Sequence, residues 1–152
     1  MFIYKKLGKF TYNVIEDESA IKPFLLKWIG KEWEADHAEF PDQLWTLEWM
    51  QSLPVMTFKV EIVEFEKIIP RKDLMEYQTG SYNFIEELNR RASEREESML
   101  RGISIEPLLV RGDNMELMDG YTRYMVLRKH QQGEVYAYVG ALGEQQRAAS
   151  KN

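Results

Sequence analysis

The segment Asp119-Gly120-Tyr121-Thr122-Arg123 carries the clearest chemical signal in the sequence. It follows a short apolar run and precedes a helical pattern, so the chain must turn sharply there. Glycine permits a positive φ and lets a phosphate approach the backbone. The first turn of a helix offers unpaired N–H groups that attract anions, and an arginine adds a forked donor. We therefore predict a phosphate-binding turn.

Thr122 and Asp119 also belong to the predicted phosphate-binding turn. Thr122 adds a hydroxyl, and Asp119 can accept hydrogen bonds from a ligand or from the amides of the turn. A simpler interpretation is that Asp119 only caps the helix, Gly120 only forms the turn, and Arg123 is a solvated charge. The pattern of the turn by itself is compatible with both interpretations.

The elements that must position this turn follow a β-α-β-β-α-β order from residue 57 onward. Phe58, Val60 and Ile62 alternate with charged residues, which indicates a half-buried strand. Ser81 is placed to cap the long helix, and Gly102 is placed to end it. The predicted strands are 57–69, 105–110, 115–118 and 135–139, and the predicted helices are 82–101 and 122–130.

The preceding 56 residues have a different character. Residues 2–15 are predicted to form short β structure around Gly8. Apolar spacing predicts a helix over 21–33, with Ser19 as its N-cap, and Pro41-Asp42 opens a second helix that Pro54 stops. We expect an N-terminal helical extension (1–56) packed on the domain formed by 57–142, with a polar tail at 143–152.

All four tryptophans lie in this extension, at Trp28, Trp33, Trp45 and Trp49. Core packing of the N-terminal layer is the favoured interpretation. A partner-binding surface or a homodimer interface is the alternative, because tryptophan is enriched where interfaces bind most strongly.

Composition limits the classes of function. The chain has 152 residues, no cysteine and a net charge of −5, so thiol chemistry and thiolate metal sites are excluded. The acidic balance does not favour nucleic-acid binding. No apolar stretch is long enough to cross a membrane, and we predict a cytoplasmic protein. Glu34 and His37 form a single Glu-x-x-His, which is too little for a di-iron site, and no metal site is predicted.

The ordered motifs resemble the ParB N-terminal/sulfiredoxin-like family over roughly residues 58–140. The resemblance rests on a "P-L-L-V" strand at 107–110, a strand ending in Asp119-Gly120, a helix opened by Arg123, and a closing strand at 135–139. It implies an α+β fold with a mixed sheet flanked by helices. It also favours the phosphate-binding interpretation of the turn.

The family's chemistry is diverse, and this chain departs from its better-known members. The lack of cysteine excludes sulfiredoxin activity. Gly120 and Arg123 match the ends of the "GERR" box with which ParB proteins bind CTP, but Tyr121 and Thr122 replace its central residues. Free serine kinases have a similar "DGHHR" turn, in which two histidines occupy the positions of Tyr121 and Thr122. The resemblance implies cofactor contacts by Gly120, Tyr121, Thr122 and Arg123.

The resemblance also implies a nucleotide ligand (ATP, ADP or CTP) bound with Mg²⁺, and it makes Glu86, Glu87 and Asp119 the candidate catalytic carboxylates. In the related kinases an early helical glutamate acts as the base, and Glu86 or Glu87 lies in a comparable place. We expect a protein that binds a nucleotide or a phosphorylated small molecule, as a small-molecule phosphotransferase or a nucleotide hydrolase. The alternatives are a DNA-associated ParB-like or nuclease-like module and a non-catalytic interaction domain.

Overall fold

The computed structural model of the chain describes residues 2–143, so the predicted tail beyond Gly143 lies outside the described residues. Within that range the chain forms five helices and nine strands. The strands are β1 (Ile3–Leu7), β2 (Phe10–Val14), β3 (Met56–Glu64), β4 (Ile69–Pro70), β5 (Gln78–Thr79), β6 (Tyr82–Asn83), β7 (Leu108–Arg111), β8 (Glu116–Asp119) and β9 (Glu134–Leu142). The helices are α1 (Glu18–Glu39), α2 (Leu44–Ser52), α3 (Lys72–Met75), α4 (Phe84–Leu100) and α5 (Tyr121–Lys129).

A mixed five-stranded sheet forms the centre of the fold, with strand order β3-β9-β7-β8-β4. β3 pairs with β9 antiparallel over nine residues, β9 and β7 run parallel, and β7 and β8 form an antiparallel pair. The short β4 lies parallel to β8 at the other edge. This sheet and its flanking helices confirm the predicted α+β class.

The N-terminal segment packs on this sheet through a stripe of α1. Ile21, Leu25, Ile29 and Trp33 are spaced four residues apart and are all buried. Because residues four apart share one face of a helix, the stripe is continuous, and α1 contacts both α2 and β3. One apolar cluster contains this stripe together with the buried residues of the sheet.

Several predicted boundaries are wrong in detail. Asp17 rather than Ser19 caps α1, because its carboxylate accepts a hydrogen bond from the Ser19 N–H at 3.1 Å. Asn83 rather than Ser81 caps α4, accepting from the Glu86 N–H. In both places two capping residue types lie within two positions of each other, and the sequence pattern does not separate them.

Three predicted segments are also shorter in the structure. The strand expected over 57–69 ends at Glu64, where a single 3₁₀ turn (Phe65–Lys67) separates β3 from β4. The strand expected over 105–110 begins only at Leu108, while Ile105 makes an isolated bridge to Tyr12. The second helix begins at Leu44 instead of at the Pro41-Asp42 pair.

Three of the four tryptophans lie in the core, as predicted, and Trp28 does not. Trp33 and Trp49 pack together with ring centroids 5.4 Å apart, and Trp45 is also buried. The indole N–H of Trp49 donates to Glu116 Oε1 at 2.7 Å, which ties α2 to β8. Trp28, in contrast, is 55% exposed.

None of the helices within residues 2–143 is long and apolar enough to cross a bilayer.

Replacement of a core tryptophan should therefore destabilise the whole domain. We expect Trp49→Phe to lower the free energy of unfolding by about 2 kcal/mol, since it removes a half-buried hydrogen bond and leaves a cavity. Trp28→Phe should change it by less than about 0.5 kcal/mol. Urea unfolding followed by far-UV circular dichroism measures both. Equal effects of the two changes, or a separate early transition for the N-terminal segment, would contradict this packing.

Candidate functional site

The predicted turn lies at the end of β8, where Gly120 is the N-cap residue of α5. Gly120 has φ 98°, in the left-handed region that favours glycine. A Cβ added there would lie 2.7 Å from Arg123 Nη2 and 2.8 Å from Leu108 Cδ2. The positive φ therefore favours glycine strongly at this position, and an added Cβ would also displace the ends of the Arg123 and Leu108 side chains.

Arg123 folds back over this glycine and is held by few partners. Its side chain is 12% exposed and forms a 3.5 Å ion pair with Asp119 Oδ2. A long hydrogen bond of 3.4 Å reaches the Pro107 carbonyl, and Nε has no partner within the described residues. A guanidinium has five N–H donors, and buried polar groups are normally hydrogen-bonded. The environment of Arg123 thus leaves several of its donors without an acceptor.

The carboxylate of Asp119 is the second charge of the turn. Burial raises its pKa above the ordinary value, while Arg123 and the Gly120 N–H oppose this shift. The side chain keeps 23% of its surface exposed, so this carboxylate faces both the turn and solvent. Its position beside the free first turn of α5 is the one that the sequence predicts.

The turn opens onto a cleft of about 420 Å³, a volume typical of ligand sites. Its walls come from α1, α2, α4 and the β8–α5 turn. The charged lining residues comprise five carboxylates and three guanidinium groups, namely Glu32, Asp36, Glu39, Glu87 and Asp119 with Arg91, Arg95 and Arg123. The N-terminal segment therefore forms part of the candidate site.

Two carboxylates of α1 are functional candidates that the sequence does not single out. Glu32 and Asp36 both line the cleft. Both side chains are exposed, yet their partial desolvation in the cleft is the main cause that raises the pKa of each, and the negative charge of Asp119 raises both further. Their spacing of four residues places them on one helical face, but only the packing of α1 brings that face to the turn.

The two predicted catalytic glutamates of α4 have different positions. Glu87 lines the cleft, where it forms ion pairs with Arg90 and with Arg91 Nε, the latter at 3.2 Å. Hydrogen bonding by Arg90 lowers the pKa of Glu87, which makes it a weaker base. Glu86 is exposed and is not one of the cleft-lining residues.

Tyr121 and Thr122 also differ in their surroundings. The Tyr121 hydroxyl donates to the Leu117 carbonyl at 2.7 Å and accepts from the Arg71 N–H at 3.0 Å. Tyr121 is 8% exposed, so its hydroxyl anchors α5 to the sheet. Thr122 is half-buried and lines the cleft, which leaves it as the side chain of this pair that is better placed to contact a ligand.

No group of three His, Asp or Glu side chains within residues 2–143 is arranged to hold a metal ion by itself. Mg²⁺ commonly binds through only one or two carboxylates together with substrate phosphates. Glu32, Asp36 and Asp119 supply carboxylates of the required kind. A phosphate on the turn would lie beside Asp119, so the chemistry of these carboxylates is compatible with a Mg²⁺ ion that binds together with a phosphate ligand.

Solved structures of ParB N-domains are similar to this fold. "Structure of the pNOB8-like ParB N-domain" is 26% identical over 60% of this chain, with a TM-score of 0.43. "Structure of the C2221 form of Pnob8-like ParB-N domain" is 24% identical over 61%, with a TM-score of 0.40.

The chain is similar to ParB N-domains. The matches cover 30% and 34% of those two chains, about a third of their length. No protein-family model and no curated protein matches the chain. Because neither TM-score reaches 0.5, the two structures do not indicate what the cleft of this chain binds.

Replacement of Gly120 tests the geometry of the turn. We expect Gly120→Ala to lower the free energy of unfolding by about 2–4 kcal/mol, because left-handed strain and steric overlap add together. Gly80 is the matched control, since it also has positive φ (55°) but no atom within 4 Å of an added Cβ. Gly80→Ala should cost about 1 kcal/mol. Equal losses in urea unfolding experiments would show that Gly120 is not sterically confined.

Proposed function

We propose that this protein binds a nucleotide in the cleft, with its phosphates at the N-terminus of α5 beside Arg123. The observation that carries the proposal is the environment of Arg123. Its guanidinium is largely buried, yet it makes only two long contacts, both through Nη2, and its Nε is fully buried without a partner within the described residues. Phosphate oxygens would supply the missing acceptors, and charge-assisted hydrogen bonds of this kind are among the strong ones.

The helix beside Arg123 supports the same ligand. The first-turn N–H groups of a helix have no intrahelical partner. In α5 they also receive no side-chain cap, because the N-cap residue is Gly120. These groups and the helix dipole favour an anion at the same point. Arg91 and Arg95 add positive charge on the facing α4 wall of the cleft.

The charge balance of the cleft favours a nucleotide bound together with Mg²⁺. The lining carries five carboxylates against three guanidinium groups, a formal net charge of −2. A polyphosphate would be repelled by Glu32, Asp36 and Asp119 unless a cation lay between them. Mg²⁺ supplies charge neutralisation at the phosphates when it is bound.

A phosphotransferase would need a carboxylate that can accept a proton from the acceptor hydroxyl. In such a step the acceptor oxygen bonds to the terminal phosphorus, the bond to the bridging oxygen breaks, and the nucleoside diphosphate leaves. Asp36 and Glu32 suit the role of base because their pKa values are raised. Glu87 remains a candidate by position, although its ion pairs with Arg90 and Arg91 oppose the role.

The proposal can be tested with a variant that retains positive charge. Arg123→Lys keeps the charge but loses the planar fork of donors. The melting temperature of the wild type should rise by about 5–10 °C with at least one of ATP, ADP, CTP and GTP at one hundred times its Kd with Mg²⁺. Arg123→Lys should lose most of this shift at the same ligand concentration.

Arg128 provides the matched control, because it lies in the same helix, is exposed and is not part of the cleft lining. Arg128→Lys should respond to the nucleotide as the wild type does. If no nucleotide raises the melting temperature, or if both lysine variants respond like the wild type, the proposed phosphate site is wrong. Omission of Mg²⁺ should reduce the shift, since the acidic lining then repels the phosphates.

A further inference from the structure

A buried glutamine lies in the part of the cleft that α2 contributes. Gln43 is only 5% exposed, lines the cleft, and occupies the N-cap position of α2 without a side-chain capping hydrogen bond. Its amide makes no hydrogen bond to any other group within residues 2–143. Neither polar atom of this amide is among the fully buried atoms that lack a partner, so the amide reaches the cleft and is free to pair with a ligand there.

The backbone of Gln43 is held firmly while its side chain is not. The Gln43 N–H donates to the Phe40 carbonyl at 3.0 Å, and the Gln43 carbonyl accepts from Thr46 Oγ1 at 2.6 Å. Thr46 is itself buried and contacts His37 Nδ1 at 3.2 Å. The position of Gln43 is therefore fixed before any ligand binds, which is the arrangement expected of a recognition residue.

Aromatic side chains surround the same part of the cleft. Phe40 and Tyr82 lie 5.0 Å apart between ring centroids with an interplanar angle of 34°, and both are half-buried cleft residues. Trp45 lines the cleft beside them and packs edge-on against Tyr77 at 5.2 Å. Half-buried rings that face a cleft offer a surface on which a flat ligand can stack.

From this combination we infer that the cleft binds a nucleobase, stacked on the Phe40–Tyr82 pair, with its edge hydrogen-bonded by the Gln43 amide. A primary amide presents one acceptor and two donors side by side. The edge of a base presents donors and acceptors in the same way, whereas its face is aromatic. Phosphate and ribose have no aromatic face. The inference rests on the proposed function, since the same molecule would place its phosphates at Arg123.

The test compares nucleotides with a ligand that lacks a base. Isothermal titration with Mg²⁺ would measure the affinities of ATP, GTP, CTP, UTP and inorganic tripolyphosphate for the wild type, Gln43→Leu and Gln51→Leu. At least one nucleotide should bind the wild type about tenfold or more tightly than tripolyphosphate. Gln43→Leu should weaken that nucleotide about 5- to 30-fold and leave tripolyphosphate unchanged.

Gln51 is the matched control because it lies in the same helix but is exposed and outside the cleft lining. Gln51→Leu should bind every ligand as the wild type does. A second pair of variants keeps the test valid if Gln43→Leu does not fold. Tyr82→Ala should weaken the preferred nucleotide several-fold, while Tyr82→Phe, which keeps the ring, should not.

Three results would overturn the inference. If tripolyphosphate and every nucleotide bind equally well, the result supports the proposed phosphate site and contradicts the proposed base site. If Gln43→Leu weakens tripolyphosphate as much as the nucleotide, Gln43 acts on the general shape of the cleft and not on a base. If neither nucleotides nor tripolyphosphate bind, the proposed function and this inference both fail.

Discussion

The contact of the Arg123 guanidinium with Asp119, over a glycine that leaves room for it, is the interaction on which the candidate site depends. The two side chains approach to 3.5 Å at the point where β8 becomes α5. Only glycine at position 120 permits this, because a Cβ would lie 2.7 Å from Arg123 Nη2. The pair is closely confined yet poorly hydrogen-bonded, which is unusual for buried charges. A ligand that completes the hydrogen bonding of Arg123 would remove that deficiency.

The remaining elements determine what can reach this pair. The buried stripe of α1 packs on the fold and turns Glu32 and Asp36 toward the cleft. Trp49 joins α2 to β8 through Glu116, which holds the wall that contains Gln43 beside the turn. The tryptophans thus contribute to the site indirectly, by packing the N-terminal segment against the domain that contains the turn. The same segment supplies the acidic groups on which the proposal of a cation beside the phosphates rests.

The sequence predicts the turn itself well, because its determinants are local. Gly120 needs a positive φ, and a helix begins at the next residue; both follow from residue types within a few positions. The α+β order of elements is likewise local, since each strand and helix has its own apolar period. Capping is predicted less well: Asp17 and Asn83, instead of Ser19 and Ser81, cap their helices, although all four residue types can do so.

The roles of Glu32, Asp36 and Gln43 are beyond the reach of sequence patterns, because they depend on how α1 and α2 pack against a turn about 80 residues away in the chain. An exposed glutamate on a helix and one that lines a cleft have the same local pattern. The most direct test of the central claim is a ¹⁵N-edited NMR titration of the protein with ATP and Mg²⁺. The proposed site predicts that the backbone amides of residues 120–123 shift first and most, together with the Arg123 Nε–H. Shifts confined to other parts of the chain, or none at saturating nucleotide, would contradict it.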